Sequence, residues 1–110
     1  MSRRPTPLYR DSFALCDWVL QHFGDAGDAL GRGLAETALS LLKAIVLALK
    51  APHPDEYIET ADEHLIVLRT WLRLAHTRGQ IDEDQLLYAL EQADRIGRQI
   101  GGWLRALEAS

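Results

Sequence analysis

Apolar residues recur along this chain at alternating steps of three and four, the spacing that lines one face of an α-helix. The first such row is Tyr9, Phe13, Cys16, Leu20 and Phe23. The second is Leu34, Ala38, Leu41, Ile45 and Ala48, and the third is Ala61, Leu65, Leu68, Leu72 and Ala75. The fourth runs through Leu86, Leu90, Ala93, Gly97, Ile100, Leu104 and Leu107. Three short breaks separate the rows: Gly24-Asp25-Ala26-Gly27, Ala51-Pro52-His53-Pro54, and Gly79-Gln80-Ile81 with the acids Asp82-Glu83-Asp84 behind it. Helix–helix connections in bundles have this length. The pattern predicts an all-α protein, a single domain over residues 1–110 with helices at about 8–23, 28–50, 54–78 and 82–108. Short loops between heptad-like rows predict an antiparallel up-down-up-down four-helix bundle. The helix ends agree, with acids opening the third and fourth helices and Lys50 closing the second, as the macrodipole prefers.

A lone bundle needs one apolar seam per helix, and this chain has more. The second helix carries another full row, Ala35, Leu39, Leu42, Val46 and Leu49. The third adds Val67, Trp71 and Leu74, and the fourth adds Ala89, Ile96 and Trp103. One reading is a wide core seam flanked by snorkelling neighbours. The other is a homo-oligomer interface containing Leu39, Leu42, Val46, Leu49, Val67, Trp71, Ile96 and Trp103, since a helix apolar on two faces is buried on two. Gly97, Gly101 and Gly102 lie within the fourth helix, where each glycine costs roughly 0.5–1 kcal/mol relative to alanine. They predict either a close backbone approach or a local break.

Composition narrows the function classes. The chain has 110 residues, 47% hydrophobic and 25% charged, with a single cysteine. That excludes an intramolecular disulfide framework and a four-cysteine zinc site. Cys16 falls on an apolar row without a basic neighbour and reads as a small core residue. A di-iron bundle needs Glu-x-x-His on two helices. The residues three before His22, His53, His64 and His76 are Val19, Lys50, Ala61 and Arg73, so that site is excluded. No P-loop follows Gly31-Arg32-Gly33, and there is no nucleophile elbow. The expectation is a protein that is not an enzyme and has no cofactor and no metal site. No apolar run is long enough for a signal peptide or a membrane span, so the expected location is the cytoplasm.

Twelve Lys+Arg against sixteen Asp+Glu give a net charge of −4, which argues against a strongly basic nucleic-acid binder but leaves room for a local patch. Up-down topology gathers Arg3, Arg4, Arg10, Lys43, Lys50, Arg95, Arg98 and Arg105 at one pole, interleaved with acids, and leaves the other pole strongly acidic. Arg95, Arg98 and Arg105 share a face of the fourth helix, and Arg69 and Arg73 share a face of the third. These five arginines are either solvated partners of nearby acids or a patch for phosphates.

The runs Leu65-Ile66-Val67-Leu68-Arg69-Thr70-Trp71-Leu72-Arg73-Leu74 and Ile96-Gly97-Arg98-Gln99-Ile100-Gly101-Gly102-Trp103-Leu104 resemble the accessory variability determinant (Avd) family. That family is grouped with proteins encoded in intervening sequences of large ribosomal RNA genes. The four-helix layout extends the likeness over roughly residues 8–107. The resemblance implies a four-helix bundle assembled as a homo-oligomeric ring, usually a pentamer, that performs no chemistry. It implies service to a diversity-generating retroelement, in association with the reverse transcriptase and its RNA. Arg69, Arg73 and Arg98 are the basic residues inside the matching runs. The alternative is an adaptor of the ribosomal intervening-sequence type that binds only protein and has no nucleic-acid role.

Overall fold

A computed structural model of the chain describes residues 6–109; Arg3 and Arg4 lie outside them. Four helices follow one another, α1 Pro7–Phe23, α2 Ala29–Lys50, α3 Asp55–Thr77 and α4 Glu83–Ala109. No strand occurs among the described residues. Each helix packs on its neighbours in sequence and α1 closes on α4, while the diagonal pairs do not meet. With connections this short, successive helices run antiparallel, which is the predicted four-helix bundle.

The local chemistry explains where the helices begin and end. Thr6 caps α1 by accepting a hydrogen bond from the Tyr9 N–H at 3.1 Å, and Pro7 follows at the first turn, where its missing donor costs nothing. Asp28 Oδ1 caps α2 by accepting from the Gly31 N–H at 2.9 Å. Asp82 and Gln85 form a reciprocal capping box at α4, each side chain accepting from the other's backbone N–H at 2.8 Å. α3 ends at Gly79, whose φ of 75° is the left-handed conformation glycine adopts freely. The Gly79 N–H donates to His76 O, and the Gln80 N–H reaches back to Ala75 O. Gln80 Nε2 then donates to Asp28 Oδ2 at 2.6 Å, tying the α3–α4 connection to the start of α2.

The core rows of α2 and α3 are those the spacing predicts, with Gly31 and Ala44 added in α2 and Ile58 in α3. α1 and α4 are rotated from expectation. The buried row of α1 is Leu8, Ser12, Leu15, Cys16, Val19 and Phe23, and Phe13 is 53% exposed. Ser12 interrupts this row with a hydroxyl, so the rival row through Phe13 looks more apolar in the sequence. The Ser12 Oγ is buried with no hydrogen-bond partner among the described residues. In α4 the buried residues are Ala89, Ala93, Ile96 and Ile100. Ile96, expected at an outward interface, is 0% exposed and belongs to the core. Ala89 and Ala93 form the first half of this buried row, and Ile96 and Ile100 form the second.

Neither Gly97 nor the Gly101-Gly102 pair breaks α4, which is continuous to Ala109. A Cβ on Gly97 would stand 2.7 Å from Arg69 Nη2, so the bare backbone seats a guanidinium from α3. The Arg105 side chain curls back over Gly101, with Nη1 3.4 Å from where a Cβ would lie.

Candidate functional site

Two apolar grooves flank α2. On the α1 side, Phe13, Cys16, Asp17, Leu20, Leu39 and Leu42 line a hollow of about 230 Å³. Phe13 and Leu39 stand at its rim, and Leu39 is 50% exposed. On the α3 side, Ala29, Leu30, Gly33, Trp71 and Leu74 line a cavity of about 360 Å³. Gly33 opens this cavity: with no side chain there, the Trp71 indole lies against the α2 backbone, its Nε1 3.7 Å from a notional Cβ.

The residues expected at an oligomer interface therefore divide. Leu39 and Leu49 are exposed on α2, and Val67 is exposed on α3. Val46 is half-buried. Leu42, Trp71 and Trp103 are also half-buried, packed as a rim against the core. Ile96 is excluded by its burial. The helical spacing places Phe13 in the core and gives no role to Leu30 or Leu47, whereas Phe13 and Leu47 are exposed and Leu30 packs against the core. The signal available for Leu30 was its place one turn before Leu34 and opposite the Trp71-Leu74 pair.

Cys16 forms part of the α1–α2 hollow but is itself buried. Burial pushes its thiol pKa up, and the neighbouring Asp17 charge pushes it further the same way. It is held in the unreactive thiol form.

The five arginines do not make one surface. Arg69 lies between α3 and α4, where its Nη2 donates to Ala93 O at 3.3 Å and to Asp94 Oδ1 at 3.1 Å. Its side chain is 27% exposed, and its Nε is buried with no partner among the described residues. Arg69 is committed to joining two helices. Arg95 turns toward α1, with Nη1 3.9 Å from Asp11 Oδ1, and Gln99 Nε2 donates to the other oxygen of the same carboxylate at 2.8 Å. Arg73, Arg98 and Arg105 are exposed, with no ion pair among the described residues. Because α3 and α4 are antiparallel, Arg73 lies toward the start of α4, and Arg98 and Arg105 toward its end.

Aromatic contacts mark the α1–α4 side. Trp18 stacks on His22 with ring centroids 4.0 Å apart, and Tyr88 approaches Trp18 at 5.9 Å. Among the described residues no group of three or more His, Cys, Asp or Glu side chains could hold a metal ion. Nor is any helix long and apolar enough to cross a membrane.

The fold and these surfaces define a small four-helix bundle that carries grooves between helices and apolar residues left facing solvent. A family model described as bAvd-like matches residues 15–107, the greater part of all four helices. The chain belongs to the bAvd-like family, in agreement with the resemblance carried by the α3 and α4 sequence runs. No curated protein and no solved structure matches it.

Proposed function

We propose that this chain is a non-enzymatic scaffold of the Avd type, a cytoplasmic homo-oligomeric ring of five copies that binds a reverse transcriptase, its RNA, or both. The observation that carries this reading is the pair of unlike apolar surfaces on the two flanks of α2. Phe13 and Leu39 protrude on one flank, and the cavity beside Trp71 opens on the other. A contact between two different patches of the same chain is heterologous, and repeated heterologous contacts form a ring where the rotation between copies closes, and an open filament where it does not. Family membership supports the same reading. The test is light scattering coupled to size exclusion. The expected result is five times the chain mass, with Leu39→Asp giving folded monomers because Leu39 contributes little to the core. A stable wild-type monomer at micromolar concentration overturns the ring. Co-purification of a co-expressed reverse transcriptase from the same locus tests the partner.

For RNA, the exposed Arg73, Arg98 and Arg105 are the contacts this reading retains. Single-strand binding through three phosphates has a log–log salt slope of roughly −2 per protomer, at about −0.7 per contact. Fluorescence anisotropy at low salt should show weak binding that Arg98→Ala/Arg105→Ala reduces. The engagement of Arg69 and Arg95 with Asp94 and Asp11 favours the second reading, an adaptor that binds only protein. Absence of RNA binding at tens of micromolar protein, well inside the range of ordinary non-specific affinities, selects that adaptor.

A further inference from the structure

The seam between α2 and α3 changes character along its length. Seven residues beyond Gly33 on α2, and seven before Trp71 on α3, the apolar cavity gives way to a polar one. Seven residues are two helical turns, or roughly 10 Å. Ser40, Lys43, Ala44 and Leu47 of α2 face Tyr57, Thr60 and His64 of α3 around a space of about 320 Å³. The α2 positions follow the i, i+3, i+4, i+7 spacing of one helix face, so both rows point into the same groove.

Five of these seven side chains donate hydrogen bonds, and none carries a negative charge. Lys43 brings a full positive charge, and His64 brings an imidazole ring whose nitrogens can hydrogen-bond an oxyanion. Among the described residues, none of the five makes a hydrogen bond or ion pair with another protein group. The acids that adjoin these residues in sequence, Glu56, Glu59 and Glu63, are exposed and do not line the space. An interhelical groove that only packed two helices would be lined as its neighbour around Trp71 is lined. This one instead gathers a point cation, an imidazole and three hydroxyls around the buried Ala44, with Leu47 exposed at its edge. That is the donor set an oxyanion needs, because charge-assisted hydrogen bonds to phosphate are about twice as strong as neutral ones.

We propose that this groove binds a phosphomonoester, with Lys43 and His64 holding the phosphoryl oxygens, Ser40 and Thr60 donating their hydroxyls, and the Tyr57 ring lying against the organic part. The site is separate from the apolar surfaces assigned to assembly and from the arginines assigned to RNA. It holds whether or not those readings do.

The test is a titration of the full chain with adenosine monophosphate, inorganic phosphate and adenosine. It is followed by calorimetry and by the His64 ring resonances, identified by their loss in His64→Gln. Adenosine monophosphate is expected to bind with a Kd of about 1 mM or tighter at low salt. Inorganic phosphate should bind more weakly, and adenosine should not bind. Lys43→Gln and His64→Gln should each weaken binding at least about tenfold while leaving the light-scattering mass unchanged. Should either variant fail to fold, Ser40→Ala/Thr60→Ala serves in its place, with a smaller loss expected. A terminally phosphorylated oligonucleotide compared with its hydroxyl-ended twin separates two sources of the same group. Preference for the phosphorylated strand assigns a strand end, and binding of the mononucleotide alone assigns a free ester. Equal binding of adenosine and its monophosphate, or unchanged affinity in the variants, overturns the site. So does the absence of any response at about 10 mM ligand.

Discussion

Replacing Gly97 by alanine sets two effects of similar size against each other, and the structure decides which wins. Inside a helix the added methyl group is worth roughly 0.5–1 kcal/mol of stability, because glycine loses more backbone entropy on folding. Here the new Cβ would stand 2.7 Å from Arg69 Nη2 and 3.4 Å from Leu65 Cδ2. Real side-chain carbons do not approach that closely, so the guanidinium must withdraw. It then loses its hydrogen bond to Ala93 O and its contact with Asp94. The first is worth about 1 kcal/mol. The second, to a carboxylate that is largely exposed, is worth about 0–1 kcal/mol. The loss of about 1–2 kcal/mol matches or exceeds the gain, so Gly97→Ala should destabilise by up to about 1.5 kcal/mol. In an Arg69→Ala background the clash is gone and the same substitution should stabilise by roughly 0.5–1 kcal/mol. The four proteins form a double-mutant cycle with a coupling of about 1–2 kcal/mol and a change of sign. Urea unfolding at one fixed protein concentration measures it, with equal m-values required for the comparison. If Gly97→Ala raises the midpoint in both backgrounds, Arg69 does not hold α3 to α4 and the account of Gly97 is wrong.

Leu68 is fully buried, so Leu68→Ala should cost roughly 2–5 kcal/mol in urea unfolding. Asp28 is held below its ordinary pKa, first by the Gly31 backbone N–H and then by the Gln80 side chain. A carboxylate depressed in the folded state supports the fold above its unfolded pKa and ceases to as pH falls through the lower folded value. The unfolding midpoint of the wild type should therefore drop more steeply below about pH 4 than that of Asp28→Asn. Cys16 should resist iodoacetamide in the native protein at neutral pH and react readily in urea, since burial both shields the thiol and raises its pKa. Fast native alkylation would place Cys16 outside the core.

Why two helices read correctly and two did not is a matter of what occupies the core row. In α2 and α3 the row is unbroken Leu, Ile and Ala, so no rival competes. In α1 a serine sits in the buried row while a phenylalanine stands beside it in solvent. Counting apolar residues favours the wrong register by one position, which on a helix is about 100°. In α4 half of the buried row is alanine, Ala89 and Ala93, which score low on hydrophobicity and so mark the core face weakly beside the rival Leu86 and Leu90. Hydrophobic spacing measures transfer from water, whereas burial in a packed core also depends on size and shape, and the two diverge where a small or hydroxyl-bearing residue occupies the core row.

The sites were less legible than the fold for a related reason. A helical wheel places a residue on its own helix, but its role depends on what faces it from another. Arg69 and Arg73 occupy one face of α3 and look equivalent in sequence. Arg69 is drawn inward because Gly97 and Asp94 lie opposite, and the carboxylate it meets is 25 residues away along the chain. Arg73, one turn on, meets no acid and stays in solvent. The glycine was the usable clue: an otherwise costly residue in the middle of a helix, spaced to face an arginine on the preceding one. The Lys43–His64 groove had no such clue. In the sequence Lys43 reads only as one of the basic residues gathered at one pole, His64 only as a histidine without a glutamate three residues before it, and Ser40 carries no signal. Only the antiparallel pairing of the two helices brings the hydroxyls, the amine and the imidazole around one space. The functional content of this bundle therefore lies mainly in its interhelical seams, where neither row alone specifies what the pair can bind.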